Sequence, residues 1–293
     1  MIHFRKKRFR IYHFIVLLPL ILFSISQLGC LSFRMSNARQ EEYLLKTTQR
    51  KPDFIEYQKN GRTIHYTRVA EYDSLPVIIF LHGSPGSSSA YIDYLSDKRL
   101  SKMAQLISVD RPGFGYSDFG KSEGSLEEQA SLMKPIVEKY LPNRVILAGH
   151  SLGGPLAVRM AMDYPELISG IVLVAPSVAP ELEPKDGWYR KPMNWFFIRW
   201  MFPKSFVVSN QEILPLREEL TKMLPLWKNI NLPVTVIQGD KDKFVPMENA
   251  AFAKKMLVNA PEVKVVMIPN GSHFILWTEY EKVVQEILDL LNN

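Results

Sequence analysis

Residues able to cooperate in nucleophilic catalysis stand in three loops of this sequence. Ser151 lies within Gly149-His150-Ser151-Leu152-Gly153, two aspartates lie in Gly239-Asp240-Lys241-Asp242, and His273 closes Asn270-Gly271-Ser272-His273. A serine hydroxyl is a weak nucleophile at neutral pH and needs a base within hydrogen-bond reach, and histidine ordinarily titrates near enough to neutrality to take that proton. A carboxylate behind the histidine fixes its tautomer and stabilises the imidazolium that forms. The pentapeptide around Ser151 matches G-x-S-x-G, in which glycines flank the serine because a tight strand-to-helix turn brings backbone close on both sides. Without a strand before it and a helix after it, such a serine is only a loop residue.

Both elements are legible. Val145 to Ala148 is a short apolar run suited to a central parallel strand, and a helix from about Leu152 to Tyr164 would aim free N–H groups and its positive dipole end at Ser151. A second buried strand, Val77 to Leu81, ends in His82-Gly83-Ser84-Pro85-Gly86-Ser87, a sharply fixed loop whose Ser84 N–H can face a substrate oxygen. The N–H groups of Ser84 and Leu152 are the candidate oxyanion donors. His82 is expected to hydrogen-bond loop backbone and not to act as a base. Leu106 to Val109 reads as a further strand entering Asp110-Arg111-Pro112-Gly113, a loop expected to be held by an internal ion pair. Strands at Gly170 to Val174, Val234 to Ile237 and Val263 to Ile268 complete a mostly parallel sheet covered on both faces. Parallel strands end on one edge, so Ser151, an acid after Ile237 and His273 should meet there.

The remaining signals are structural. Phe54 to Gln58 and Arg62 to Arg68 flank Asn60-Gly61, a hairpin signal. Helical character runs from Ala90 to Leu100, and Ser125-Leu126-Glu127-Glu128 reads as a capping box opening a helix kinked at Pro135. The strand and helix alternation breaks at residues 176–232, rich in Pro, Trp and Phe, which reads as a helical cap inserted after a strand end. Its aromatic run suits an acyl pocket, a membrane surface or plain contacts with the core. The organisation expected is a signal or anchor over residues 1–30, a polar tether over 31–52 that is partly helical around Glu41 to Lys46, a core of 53–175 and 233–293, and the cap between.

Composition narrows the functional classes. Of a formal net charge of +6, Arg5, Lys6, Lys7, Arg8 and Arg10 supply most, so the body is close to neutral and lacks the basic footprint of a nucleic-acid binder. Cys30 is the only cysteine, which excludes an intramolecular disulfide and C-x-x-C metal sites; no metal or cofactor is implied. The five basic residues precede an apolar stretch from Ile11 to Leu28, the layout of an export signal or signal anchor, with the body on the non-cytoplasmic side. Gln27-Leu28-Gly29-Cys30 resembles a bacterial lipobox, departing from it at Gln27 and Leu28, and would make Cys30 a lipidation site. Lipidation, an uncleaved anchor and release by cleavage all remain open.

The chain resembles the α/β-hydrolase superfamily from about Phe54 to Asn293. His82-Gly-Ser-Pro85 is similar to the family's oxyanion loop, Asp110 to Ser117 to its following loop, and Gly149 to Gly154 to its nucleophile elbow. Gly239-x-x-Asp242-x-x-x-Pro246 is similar to its acid loop, which implies Asp242, not Asp240, as the triad carboxylate. The resemblance thus implies an α/β-hydrolase fold with an inserted cap and the catalytic triad Ser151, Asp242 and His273. A serine at the elbow implies an acyl-serine mechanism. The expected reaction is hydrolysis of a small-molecule or lipid-like carboxylic ester. Peptidase activity of the proline iminopeptidase type, carbon–carbon bond hydrolysis and slow-turnover ligand sensing are the alternatives on the same scaffold.

Overall fold

Five short apolar runs form the centre of the molecule: β3 Val77–Leu81, β4 Gln105–Val109, β5 Val145–His150, β6 Gly170–Val174 and β7 Val234–Gly239 are buried at every residue. Burial on both faces is what parallel strands sandwiched between helix layers require. In this computed structural model, which describes residues 29–185, 188 and 190–292, they join β1 Asp53–Lys59, β2 Arg62–Val69 and β8 Val263–Ile268 in one sheet. The order is β1-β2-β4-β3-β5-β6-β7-β8. Only β2 runs against its neighbours; every other pairing beyond the β1–β2 hairpin is parallel. In the hairpin Lys59 faces Arg62, and the turn residues Asn60 and Gly61 have φ of 51° and 70°, the left-handed pair that an Asn-Gly turn supplies.

Helices cover both faces. α1 is Asn37–Thr48, α2 Leu126–Lys139, α3 Gly153–Asp163, α4 Lys204–Ile213, α5 Leu216–Met223, α6 Glu248–Met256 and α7 Tyr280–Asn292. One apolar layer joins the sheet to α2, α3, α5 and α6, and the other packs it against α7, Tyr91, Tyr94 and Leu44 of α1. Registers such as Leu81 with Gly149, His150 with Val174 and Gly239 with Ile268 bring the C-terminal ends of β3, β5, β6, β7 and β8 to one edge.

Several expectations need correction. The helix expected around Glu41 to Lys46 runs from Asn37 to Thr48 and is docked, not a free tether: Ser36 caps it, its Oγ accepting from the Arg39 N–H, and Leu44 is fully buried against the core. The helix expected from Ala90 to Leu100 is broken into Ser88–Tyr91, Ile92–Leu95 and Lys98–Met103, the last restarted by Asp97 as N-cap. Only half of the capping box forms: Ser125 Oγ accepts from the Glu128 N–H at 3.3 Å, but the Ser125 N–H goes to Glu123. Asn60 holds the Glu128 carboxylate instead. Pro135 sits inside a continuous α2. Residues 176–232 carry α4, α5 and short helical turns. Residues 1–28 of the signal or anchor expected over 1–30, and the Cys30 side chain expected to be lipidated, lie outside the described residues. Among those described, no helix is long and apolar enough to cross a membrane.

Candidate active site

β5 ends at His150, and the chain reverses into α3 through Ser151, whose φ of 53° lies in the left-handed region that side chains other than glycine avoid. The turn is this tight because its neighbours have no side chains. A Cβ on Gly149 would stand 2.3 Å from the Gly153 carbonyl oxygen, and one on Gly153 only 2.0 Å from that of Leu81. The Ser151 N–H is tied to Val174 at 3.0 Å, so β6 fixes the turn from the other side. The hydroxyl is thereby raised beside the N-terminus of α3.

Ser151 Oγ stands 3.0 Å from Nε2 of His273, and Nδ1 of His273 stands 2.8 Å from Asp242 Oδ2. The other Asp242 oxygen accepts the N–H groups of Phe244 and Val245, both at 2.8 Å. Burial pushes the Asp242 carboxyl up, but the His273 hydrogen bond and those two N–H groups outweigh it and hold its pKa below the ordinary value. Asp240 takes no part: its backbone N–H bonds to Ile268, at the foot of the loop. Three residues of the loops around the serine also converge. Ser84 and Leu152 line the same pocket as Ser151 and His273, and Gly83 comes so near that a Cβ on it would lie 3.0 Å from the Ser151 Cβ.

His82 holds this loop from below. The Arg111 N–H donates to His82 Nε2 at 3.0 Å, so Nδ1 carries the proton and donates to the Gly83 carbonyl at 2.6 Å. Burial, helped by the Arg111 charge, lowers the His82 pKa to about 3. The ring is a fixed neutral spacer. The ion pair expected within the Asp110-Arg111 loop does not form. Consecutive residues at a strand end point to opposite faces: Asp110 turns to His65 Nδ1 at 2.9 Å and to the N–H groups of Ser88 and Tyr116. Arg111 turns the other way, donating to His82 and Gly83 carbonyls and to both carboxylate oxygens of Glu212 in α4.

Ser151 and His273 open into a cavity of about 560 Å³. Its walls are largely apolar: Ile213 and Leu216 come from the 176–232 stretch, and Phe206, Phe244, Phe274 and Trp277 stand around them. Four contributors were not legible in the sequence. Phe33 reaches the pocket from a stretch read as tether, and His150 spans the back of the site, donating from Nε2 to the His273 carbonyl at 3.1 Å. Burial first, and the nearby His273 second, lower the His150 pKa to about 4. Glu183 and Arg190 put charge on an otherwise greasy wall. Burial raises the Glu183 carboxyl pKa against the pull of its hydrogen bond from Ser177. No periodicity or motif marks these residues in the Pro-rich stretch around them. Among the described residues no cluster of His, Cys, Asp and Glu is placed to hold a metal.

The sequence matches the model of the alpha/beta hydrolase fold over residues 76–213. It is 24% identical to a 2-hydroxy-6-oxononadienedioate/2-hydroxy-6-oxononatrienedioate hydrolase of Pseudomonas sp., over 82% of this chain and 95% of that one. To the pimeloyl-[acyl-carrier protein] methyl ester esterase of Wigglesworthia glossinidia brevipalpis it is 26% identical, over 67% of this chain and 86% of that one. In three dimensions it superposes on a membrane phospholipase A, a bacterial virulence factor, with a TM-score of 0.64 at 15% identity, over 100% of this chain and 97% of the other.

Proposed function

The chain belongs to the α/β-hydrolase superfamily, and we propose that within it the protein is a serine hydrolase cleaving a carboxylic ester through an acyl-serine intermediate. The observation that carries this reading is the unbroken chain Asp242–His273–Ser151, at 2.8 Å and 3.0 Å, opening into a largely apolar cavity. Ser151 Oγ attacks the ester carbonyl carbon while its proton passes to His273 Nε2. Negative charge builds on the carbonyl oxygen, which the N–H groups of Ser84 and Leu152 receive; each such donor contributes roughly 3 to 4 kcal/mol in the transition state. The imidazolium, held by Asp242, returns the proton to the departing alcohol. Water repeats the sequence to release the acid and restore Ser151.

Carbon–carbon bond hydrolysis is the second reading. Arg190 on the pocket wall is a cation that an acidic substrate would need, and the Pseudomonas relative acts on a dienedioate. Turnover of p-nitrophenyl esters of increasing acyl length, set beside turnover of a 2-hydroxy-6-oxodienoate, tests the choice. Ester turnover that rises with chain length supports the first reading. Faster turnover of the dienoate replaces it with the second, and one slow stoichiometric acylation with neither substrate points to a sensor.

For the N-terminus the proposal is membrane attachment with the body on the non-cytoplasmic side, through lipidation of Cys30 or through residues 11–28. Under lipidation, Cys30→Ala blocks incorporation of radiolabelled palmitate and precursor accumulates; under an uncleaved anchor, size and retention do not change. Wild-type protein recovered soluble in the cytoplasm, with residues 1–30 attached, would sink both.

A further inference from the structure

Resting on the ester-hydrolase reading, we infer that the mouth of the pocket sits on the surface of an anionic lipid bilayer, from which the ester substrate enters. Trp195, Phe196 and Phe197 are 61%, 69% and 81% exposed, side by side on a short turn and helix. Contiguous exposed apolar surface of this kind marks a binding face. From Trp188 to Phe206 the sequence also carries Arg190, Lys191, Arg199 and Lys204 and no acidic residue. Lys191, Arg199 and Lys204 are exposed. Aromatic rings among cations suit the boundary between acyl chains and anionic headgroups.

This patch is pinned to the rim of the pocket. Asn210 of α4 donates to the Arg190 carbonyl at 3.0 Å and to Asn194 Oδ1 at 3.1 Å, holding the aromatic turn against the helix that lends Phe206 to the pocket. Across the mouth, Phe244 is 72% exposed and its ring lies 5.9 Å from that of Phe274.

The course of the chain supplies an independent reason. The carbonyl of Leu31 accepts from Ser205 Oγ, that of Phe33 accepts from Ser87 Oγ at 2.6 Å, and the Phe33 ring meets Phe206 edge-on at 5.5 Å while lining the pocket. The apolar segment that ends at Leu28 is therefore tied to the rim by a very short leash. Five residues reach at most about 17 Å, and the leash from a lipidated Cys30 would be shorter still. With either attachment, the rim cannot stand far from the bilayer. A second copy of the chain is a poorer occupant, because a two-fold contact would bring these cations face to face.

The test uses the full chain reconstituted in vesicles of phosphatidylethanolamine and phosphatidylglycerol. Trp195→Ser/Phe196→Ser/Phe197→Ser changes no residue lining the pocket. It should keep turnover of water-soluble p-nitrophenyl butyrate and lose at least about tenfold on p-nitrophenyl palmitate dissolved in the vesicles. Brominated acyl chains should quench tryptophan fluorescence in the parent and less in the variant. Equal turnover of both esters with unchanged quenching overturns the proposal. So does a change in oligomeric state with quenching unchanged, which assigns the patch to a second copy. Should the triple variant misfold, Lys191→Glu/Arg199→Glu should cut binding to phosphatidylglycerol vesicles relative to phosphatidylcholine ones, and no change there is equally fatal. Parent protein inert on both esters but quenched by brominated lipid would sink the hydrolase reading alone.

Discussion

Arg111 and Glu212, 101 residues apart in sequence, form a two-pronged ion pair with hydrogen bonds of 2.8 Å and 2.9 Å in the interior. The same guanidinium donates to the carbonyls of His82 and Gly83, so α4 and the loop bearing Ser84 are held through one side chain. A buried pair of this kind is weak support for stability when intact, but removing one partner leaves an uncompensated charge in the core. Glu212→Ala should cost roughly 3 to 5 kcal/mol by urea unfolding. Arg111→Met/Glu212→Leu should recover much of that loss. A double variant no more stable than the single one would show that the pair is indispensable.

Ser151→Ala should abolish labelling by a fluorophosphonate probe and all ester turnover, while circular dichroism and the urea midpoint stay close to those of the parent. The hydroxyl lies at a turn whose shape is set by Gly149 and Gly153, so its loss removes little packing. His273→Ala should slow labelling severely, since among the described residues no other base is bonded to Ser151 Oγ. Persistent labelling of the alanine variant at position 151 would refute the nucleophile assignment.

Why these residues were legible, and others not, has a physical basis. The elbow and the five central strands announce themselves because a strand buried on both faces must be mostly apolar and a close backbone crossing must be glycine, as at Gly149 and Gly153. The helical stretch around Glu41 to Lys46 is legible, but the full extent of α1 and its docking are not, because it needs only Leu44 and Gln40 to dock and leaves no periodic stripe. The partner of Arg111 was missed because no local rule links a strand-end arginine to a carboxylate in a distant helix. Glu183 and Arg190 were missed because pocket walls in irregular segments follow neither period 2 nor period 3.6.

Stability should fall with acid in two stages. His82 and His150 are buried neutral, with pKa values lowered from 6.5 to about 3 and about 4. A depressed histidine contributes stability that is complete above its unfolded pKa and is lost as pH falls toward the folded one. From pH 6.5 toward about 4, each histidine should therefore remove roughly 1.4 kcal/mol per pH unit. Asp110 and Asp242, held below 3.8, keep their contribution above that value and lose it only at still lower pH. Urea titrations across this range check the slope. His150→Gln, which retains a donor for the His273 carbonyl, should make the first stage shallower, and an unchanged slope would remove His150 from the account.

Asp242 and Asp240 share a loop and differ in what they touch, which makes them a matched pair. Asp242 Oδ2 is 2.8 Å from His273 Nδ1, and its other oxygen is occupied by two backbone N–H groups, so the carboxylate cannot swing away as the imidazolium forms. Asp242→Asn keeps the shape but removes the negative charge and can present an N–H to Nδ1, forcing the wrong tautomer on His273. The expected loss in kcat is about 10⁴-fold, with KM little changed. Asp240→Asn should cost less than about tenfold, because Asp240 bonds to the foot of the loop through its backbone and not to His273. A second measurement separates the two causes: a variant damaged in loop shape should lower the urea midpoint, whereas loss of the carboxylate alone should leave the midpoint close to the parent's while kcat falls. A large loss in Asp240→Asn with a small one in Asp242→Asn would reverse the assignment.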